Sequence, residues 1–196
     1  MDAASAFAKF GAEITERWMS PISSLLMLEE APEGLSGVDL GDSRVFALGA
    51  DGAVVTRGGH DGVDDEVKLA SRQTDADKPL LQRTATIDIL RRARATLNRA
   101  GSHWTFGLDP ACADHARAWE IQLPRPAHVL LMTDGFSALT DRYGAYNADG
   151  LVQAALSRGL QELGREVRAI EDADAGGKFP RFKKSDDATA VLLRWS

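Results

Sequence analysis

Apolar and polar positions change period several times along this chain, and each change marks an element. Ala4, Phe7, Ala8, Phe10, Ile14 and Trp18 recur at spacings near three and four, which predicts an amphipathic helix over 3–18, docked by one face and ended by Pro21. Shorter apolar runs follow at 22–28, 35–40, 44–48 and 54–56, with a turn at Pro32-Glu33-Gly34, and together they read as a β-meander. Asp51-Gly52 between the last two runs signals a hairpin, because such turns favour residues that tolerate positive φ. Gly58, Gly59 and Gly62 punctuate a loop, after which two helical stretches are split near Pro79. In the second, Ile87, Leu90, Ala93 and Leu97 share a face, Arg91, Arg92 and Arg94 fall elsewhere, and Gly101 is a stop. Residues 104–107, 119–123 and 129–132 read as strands of a second meander, the last a continuous apolar run suited to a sheet interior. Val152, Leu156, Leu160, Leu163, Val167 and Ile170 mark a long helix with a kink at Gly159, and a polar loop over 172–187 leads into a final strand over 188–195. No repeat is visible. Strands, helices, strands, helices and a last strand indicate an α+β layered fold with antiparallel sheets.

Against this pattern, three aspartates stand out because each abuts an apolar strand. Asp42 lies in Gly41-Asp42-Ser43-Arg44 before one strand, Asp134 in Thr133-Asp134-Gly135 after another, and Asp186 in Ser185-Asp186-Asp187-Ala188-Thr189 before the last. Carboxylates so placed can converge at one sheet edge, and hard divalent cations such as Mg²⁺ or Mn²⁺ take oxygen ligands of this kind. Each also has a plainer reading. Asp42 suits a turn stabilised by its own side chain, Asp134 suits a helix N-cap before 136–139, and Asp186 suits a solvated loop-to-strand junction. Arg44 reads as support for its turn.

Composition narrows the classes. At 196 residues the chain is long enough for one sizeable core and short for two, so one domain is expected. A formal net charge of -6 argues against a nucleic-acid backbone as partner. The lone Cys112 leaves no internal disulfide, no apolar run reaches bilayer length, and Asp2, Glu13, Glu16 and Arg17 interrupt the first twenty residues, so the expected setting is cytoplasmic with no membrane partner. His60, His103, His115 and His128 lack the paired spacing of a zinc site. Trp18, Trp104, Trp119 and Trp195 fall within expected elements and read as packing residues. The Lys178, Arg181, Lys183, Lys184 cluster reads either as a solvated loop or as charge that neutralises an acidic site or holds phosphate.

Taken in order, Gly41 to Arg44, Thr133 to Gly135 and Asp186 to Thr189 resemble the motifs of the metal-dependent protein serine/threonine phosphatases, the protein phosphatase type 2C or PPM-type family. That family carries a Gly-Asp-Ser-Arg turn between two strands, a Ser/Thr-Asp-Gly that ends a buried strand and starts a helix, and an Asp-Asn-Ala-Thr before its last strand. The resemblance implies an αββα sandwich, two antiparallel sheets flanked by helices, with a binuclear Mn²⁺ or Mg²⁺ site at one edge. It implies hydrolysis of phosphoserine or phosphothreonine in a phosphoprotein substrate, with no catalytic group beyond a metal-bound water. Asp134 and Asp186 match the family's metal-ligand aspartates, Asp42 matches the aspartate of a further, weaker metal position, and Asp187 replaces the usual asparagine. No substrate-binding residue is identified by the match.

The family also begins with an acidic pair and an Asp-Gly-x-Gly-Gly turn whose aspartate bridges both metals, followed by the helix that corresponds to 3–18. On this resemblance the domain, spanning 1–196, is N-terminally truncated: its first strands, bridging aspartate and early phosphate-binding arginine have no counterpart. Gly58-Gly59-His60-Asp61-Gly62 follows the Asp42 turn instead of preceding it and is read as a loop. With only Asp134 and Asp186 from the main cage, the expectation is an incomplete binuclear centre, at best one weak metal site, because uncompensated carboxylates repel, and doubtful catalysis by this chain alone. The alternative is a degenerate phosphatase fold acting as a non-catalytic regulatory or protein-interaction module. A haloacid dehalogenase reading of Thr133-Asp134-Gly135 needs a second aspartate where Phe136 stands. Neither the substrate protein nor the oligomeric state is legible here.

Overall fold

Two apolar strands buried on both faces organise the molecule. A computed structural model describes residues 3–9, 13–59, 68, 70, 71, 80–174 and 177–196. Strands β1 (Ile22–Ser23), β2 (Leu25–Ala31), β3 (Gly34–Leu40), β4 (Arg44–Leu48) and β5 (Val54–Gly58) precede helix α2 (Thr84–Thr96), itself preceded far upstream by α1 (Ala3–Ala8). Then come β6 (Phe106–Gly107), β7 (Arg117–Ile121), β8 (Ala127–Met132), helices α3 (Asp134–Asp141), α4 (Ala148–Arg158) and α5 (Leu160–Ala173), and β9 (Ala190–Trp195). They form a four-stranded sheet in the order β5-β4-β8-β9, a three-stranded sheet β2-β3-β7 and a two-stranded ribbon β1-β6. Every pairing is antiparallel, so the α+β arrangement with antiparallel sheets expected from the element order is what the chain forms.

The four-stranded sheet is covered on both sides. Phe46, Leu48, Leu130 and Met132 point to one face and meet Phe136 and Leu139 of α3, Leu151 and Val152 of α4, and Leu163 and Val167 of α5. Val45, Ala47, Ala127 and Val129 point to the other and meet Leu35 and Ile121 of the three-stranded sheet, with Leu26, Leu28 and Trp119 beside them. That alternation is the period-2 geometry of a strand, and β4 and β8 are apolar throughout because both of their faces are buried. On the inner face of β3, Gly37 lies directly under the Trp119 ring across the ladder, and any side chain there would overlap the indole.

Several boundaries differ from the sequence expectation. The helix expected over 3–18 is helical only at Ala3–Ala8, with a short 3₁₀ turn at Arg17–Met19; its 10–12 stretch lies outside the described residues. Arg17 explains the break, since its guanidinium donates to the carbonyls of Ala95, Leu97 and Asn98, and Arg94 in return donates to those of Trp18 and Ser20. These bonds fix the segment against the end of α2, overriding its local helical periodicity. The strand expected over 104–107 shrinks to Phe106–Gly107, and the one over 119–123 shifts to Arg117–Ile121. The kink expected at Gly159 is a full break, with Gly159 at φ 83° between α4 and α5. The hairpin at Asp51-Gly52 is present, joining β4 to β5 with Gly52 at φ 80°. Of the helical stretch expected before Pro79 only 68, 70 and 71 are described, the first two as helix, and the His60-Asp61-Gly62 part of the glycine loop lies outside the described residues.

Candidate functional site

Sheet register brings the aspartates together. Arg44 of β4 pairs with Met132 of β8, and Met132 pairs with Ala190 of β9, so these three strands stop level at one end of the sheet. Asp42 lies just before the first, Asp134 just after the second and Asp186 just before the third. All three line one cleft of about 700 Å³, together with Asp187. The convergence inferred from three strand ends is therefore a property of the fold.

Each carboxylate is held by its local chain. Asp42 sits in a turn whose Gly41 has φ 106°, and Ser24 Oγ donates to Asp42 Oδ1. Arg44 does not face the cleft aspartates: its Nε lies 2.7 Å from Asp141 Oδ2 at the far end of α3, tying the turn to that helix as expected for a supporting residue. Ser137 Oγ donates to the same Asp141 oxygen at 2.8 Å. At the start of α3, Thr133 takes the N-cap position and Asp134 is the first helical residue, where the helix dipole favours a negative charge. Thr133 also binds the β9 approach, its amide donating to Thr189 O at 3.0 Å and its hydroxyl accepting from Thr189 N at 3.1 Å. Asp186 is fixed through its main chain, with Arg168 Nη2 2.6 Å from its carbonyl oxygen, and its Oδ1 accepts from Lys183 Nζ at 3.0 Å and from Asp187 N at 3.0 Å.

The site carries uncompensated negative charge. The Asp134 carboxyl is pushed up from 3.8 to about 6, first by burial and then by the charges of Asp42 and Asp186, with the Gly135 amide and Arg142 acting the other way. Asp134 is exposed to the solvent of the cleft although protein wraps much of it, and the two neighbouring carboxylates push in the same direction as burial. The same cleft is also lined by Arg94, His103, Trp104, His115 and Arg117. Trp104 stacks on His115 with ring centroids 3.6 Å apart, and Arg117 is anchored by Asp39 and donates to Gly41 O at 2.8 Å. The sequence carries no motif that links these residues to the aspartates, because they come from α2, a loop, a 3₁₀ turn and the start of β7.

Hard oxygen donors on one cleft, repelling one another, have the chemistry that a divalent cation relieves. Among the described residues, however, no three or more histidine, cysteine, aspartate or glutamate side chains close into a group of metal-holding geometry. Asp134 and Asp186 are the two that fit best, since both also border a second, smaller cavity of about 150 Å³ that passes Lys183 and Arg142. Asp187 is exposed at the rim.

One glycine controls how closely these carboxylates approach. A Cβ at Gly135 would fall inside contact distance of the Asp187 carbonyl oxygen, so only glycine lets the start of α3 lie against the loop that carries Asp186. Gly135→Ala is expected to cost about 1–3 kcal/mol through overpacking. Thermal unfolding should show a midpoint lowered by roughly 2–10 °C; an unchanged midpoint would mean that the loop moves aside freely and does not fix Asp186.

No known protein family profile matches the sequence, and no curated protein is significantly similar to it. Among solved structures, the chain is similar to the Mycobacterium tuberculosis serine/threonine phosphatase PstP/Ppp, with 18% identity and a TM-score of 0.46, covering 87% of this chain. The chain spans 59% of the length of that structure's chain. At this distance the likeness says nothing of chemistry, which rests on the geometry of the cleft.

Proposed function

We propose that this protein is a metal-dependent phosphatase that hydrolyses phosphoserine or phosphothreonine in a phosphoprotein substrate. The observation that carries the reading is the convergence of Asp42, Asp134 and Asp186 on one cleft, where burial and the charges of the other two raise the Asp134 carboxyl to about 6. Asp134 and Asp186 would hold Mn²⁺ or Mg²⁺, with Asp42 taking a further position along the cleft. When bound, such a cation acidifies water and neutralises charge on a phosphoryl group, the two requirements of an otherwise very slow reaction.

The chain's own residues do the rest. Gly135 and Thr133 set the approach of the two ligand-bearing loops. Ser24 orients the Asp42 carboxylate by its hydrogen bond. Arg94, Arg117 and the stacked Trp104–His115 pair supply cationic and aromatic groups to the same cleft as the aspartates, suited to an anionic group on a polypeptide. Among the described residues no helix is long and apolar enough to cross a membrane, and Cys112 is buried and free; a cytoplasmic setting belongs to the same proposal.

A second reading, a non-catalytic regulatory or protein-interaction module built on the same fold, is favoured by one observation, the open cage among the described residues. Phosphate release from a phosphothreonine peptide separates the two. The phosphatase reading expects release that requires Mn²⁺ and stops on chelation, from this chain or from a longer product of the same reading frame. If neither releases phosphate with Mn²⁺ present, the module reading stands in its place.

A further inference from the structure

The members of the basic cluster before Asp186, Lys178, Arg181, Lys183 and Lys184, have separate partners. Arg181 is committed to structure: it is paired with Asp174 and donates to the Glu171 carbonyl at 3.0 Å and the Lys184 carbonyl at 2.8 Å. Lys184 reaches Asp172, 2.7 Å away at the surface. Lys178 Nζ lies 5.0 Å from the Phe179 ring centroid, and Lys183 is the member of the cluster that pairs with Asp186, its Nζ 3.0 Å from Asp186 Oδ1.

We propose that Lys183 is a tethered cation that occupies the carboxylate site at Asp186 and must be displaced when a divalent metal ion binds there. The inference rests on the reading of Asp134 and Asp186 as metal ligands. Its geometry has three parts. The ammonium takes up the Asp186 oxygen that also accepts the Asp187 amide, so this oxygen already has two donors and no free direction equal to that of an unbound ligand. Lys183 borders the smaller cavity together with Asp134 and Asp186, which places the ammonium beside both ligands. The third part is the tether itself, since Lys183 stands three residues before Asp186 on the same loop and the chain holds its ammonium near the carboxylate. A single positive charge on a flexible stem partly relieves the repulsion among these carboxylates, and its half-exposed position lets it leave without rearranging the fold.

Two consequences follow. The metal-free site is quieter than three bare carboxylates would be, and metal affinity is lower than the ligands alone would give, because a cation must exchange places with the ammonium. Lys183 therefore sets the threshold of metal concentration at which the site fills.

Titration calorimetry with MnCl₂ on the parent chain, Lys183→Met and Lys184→Met tests this. Both lysines are exposed, so neither variant is expected to unfold. Lys183→Met should bind Mn²⁺ about fivefold more tightly than the parent, the upper range for release of an exposed ion pair, while Lys184→Met, which removes the same charge from the adjacent residue whose ammonium pairs with Asp172 instead, stays within about twofold. Equal affinity in parent and Lys183→Met, or equal tightening in both variants, would overturn the tethered-cation role while leaving the metal site itself intact. Absence of Mn²⁺ binding in all three chains at millimolar metal would remove the metal site, and the tethered cation with it. Tight binding by Lys183→Met alone would support the inference most directly.

Discussion

Asp134→Asn is expected to lower Mn²⁺ affinity by at least about 100-fold, or ~2.8 kcal/mol, and to remove metal-dependent phosphate release with it. Asparagine keeps the shape of the side chain and its place in the first turn of α3 but withdraws the charge that a cation needs. The same substitution should act in the opposite direction on the metal-free fold. In the folded chain the Asp134 carboxyl sits at about 6 against an ordinary 3.8, so between those values the folded state holds more protons than the unfolded one. Its favourable contribution is therefore present below 3.8 and is lost as pH rises through about 6. The full shift would be worth ~3 kcal/mol, and exposure to the cleft's solvent reduces this to ~1 kcal/mol. Metal-free parent protein should thus lose stability between pH 4 and pH 7 relative to Asp134→Asn, and Mn²⁺ should restore it only in the parent. Denaturant unfolding at several pH values, with and without Mn²⁺, reads both effects. An asparagine variant that binds Mn²⁺ like the parent would remove Asp134 from the site.

The largest effect on stability is expected from Asp39→Ala. Asp39 is 2% exposed on the inner face of β3, where Arg117 Nε lies 2.7 Å from its Oδ1 and Trp119 Nε1 2.7 Å from its Oδ2. Alanine leaves the half-exposed Arg117 guanidinium and the partly buried Trp119 indole N–H without their acceptor, which costs about 2–3 kcal/mol. At roughly 2–4 °C per kcal/mol for a chain of this size, the unfolding midpoint should fall by about 4–12 °C. The damage extends to the cleft, because the same Arg117 holds Gly41 O, next to Asp42. Asp39→Asn keeps an acceptor for the indole and should cost about half as much. A midpoint within ~2 °C of the parent for Asp39→Ala would show that Arg117 and Trp119 find other partners.

These two aspartates differ in how far the sequence revealed them. Asp134 announces itself because it follows a continuous apolar run and precedes a glycine, a local pattern that fixes strand, turn and helix start within a few residues. Asp39 gives no such sign: its partners are 78 and 80 residues away, and within β3 it interrupts an apolar run as though it were a surface residue. The first helix was misread for a related reason. Its apolar spacing is genuine, but Arg17 and Arg94 exchange hydrogen bonds with carbonyls on each other's segments, and those distant contacts decide the conformation of 17–20. Trp104, His115 and Arg117 carry no sequence sign of their place in the cleft, because a loop, a 3₁₀ turn and a strand start share no period with the aspartate-bearing segments.

Local chemistry along the chain was enough to place most strands and helices, to set β4 and β8 in a buried sheet, and to mark Asp42, Asp134 and Asp186 at strand ends, because burial on one or both faces imposes a repeat that neighbouring residues must share. Only the tertiary structure decided that Arg44, Met132 and Ala190 stand level, that Gly135 lets the Asp186 loop close on α3, and that Lys183 rather than Lys184 pairs with Asp186. Those outcomes depend on register and on contacts between segments far apart in the chain, and the energy that selects them is spread over the two faces of a sheet rather than written at any one position.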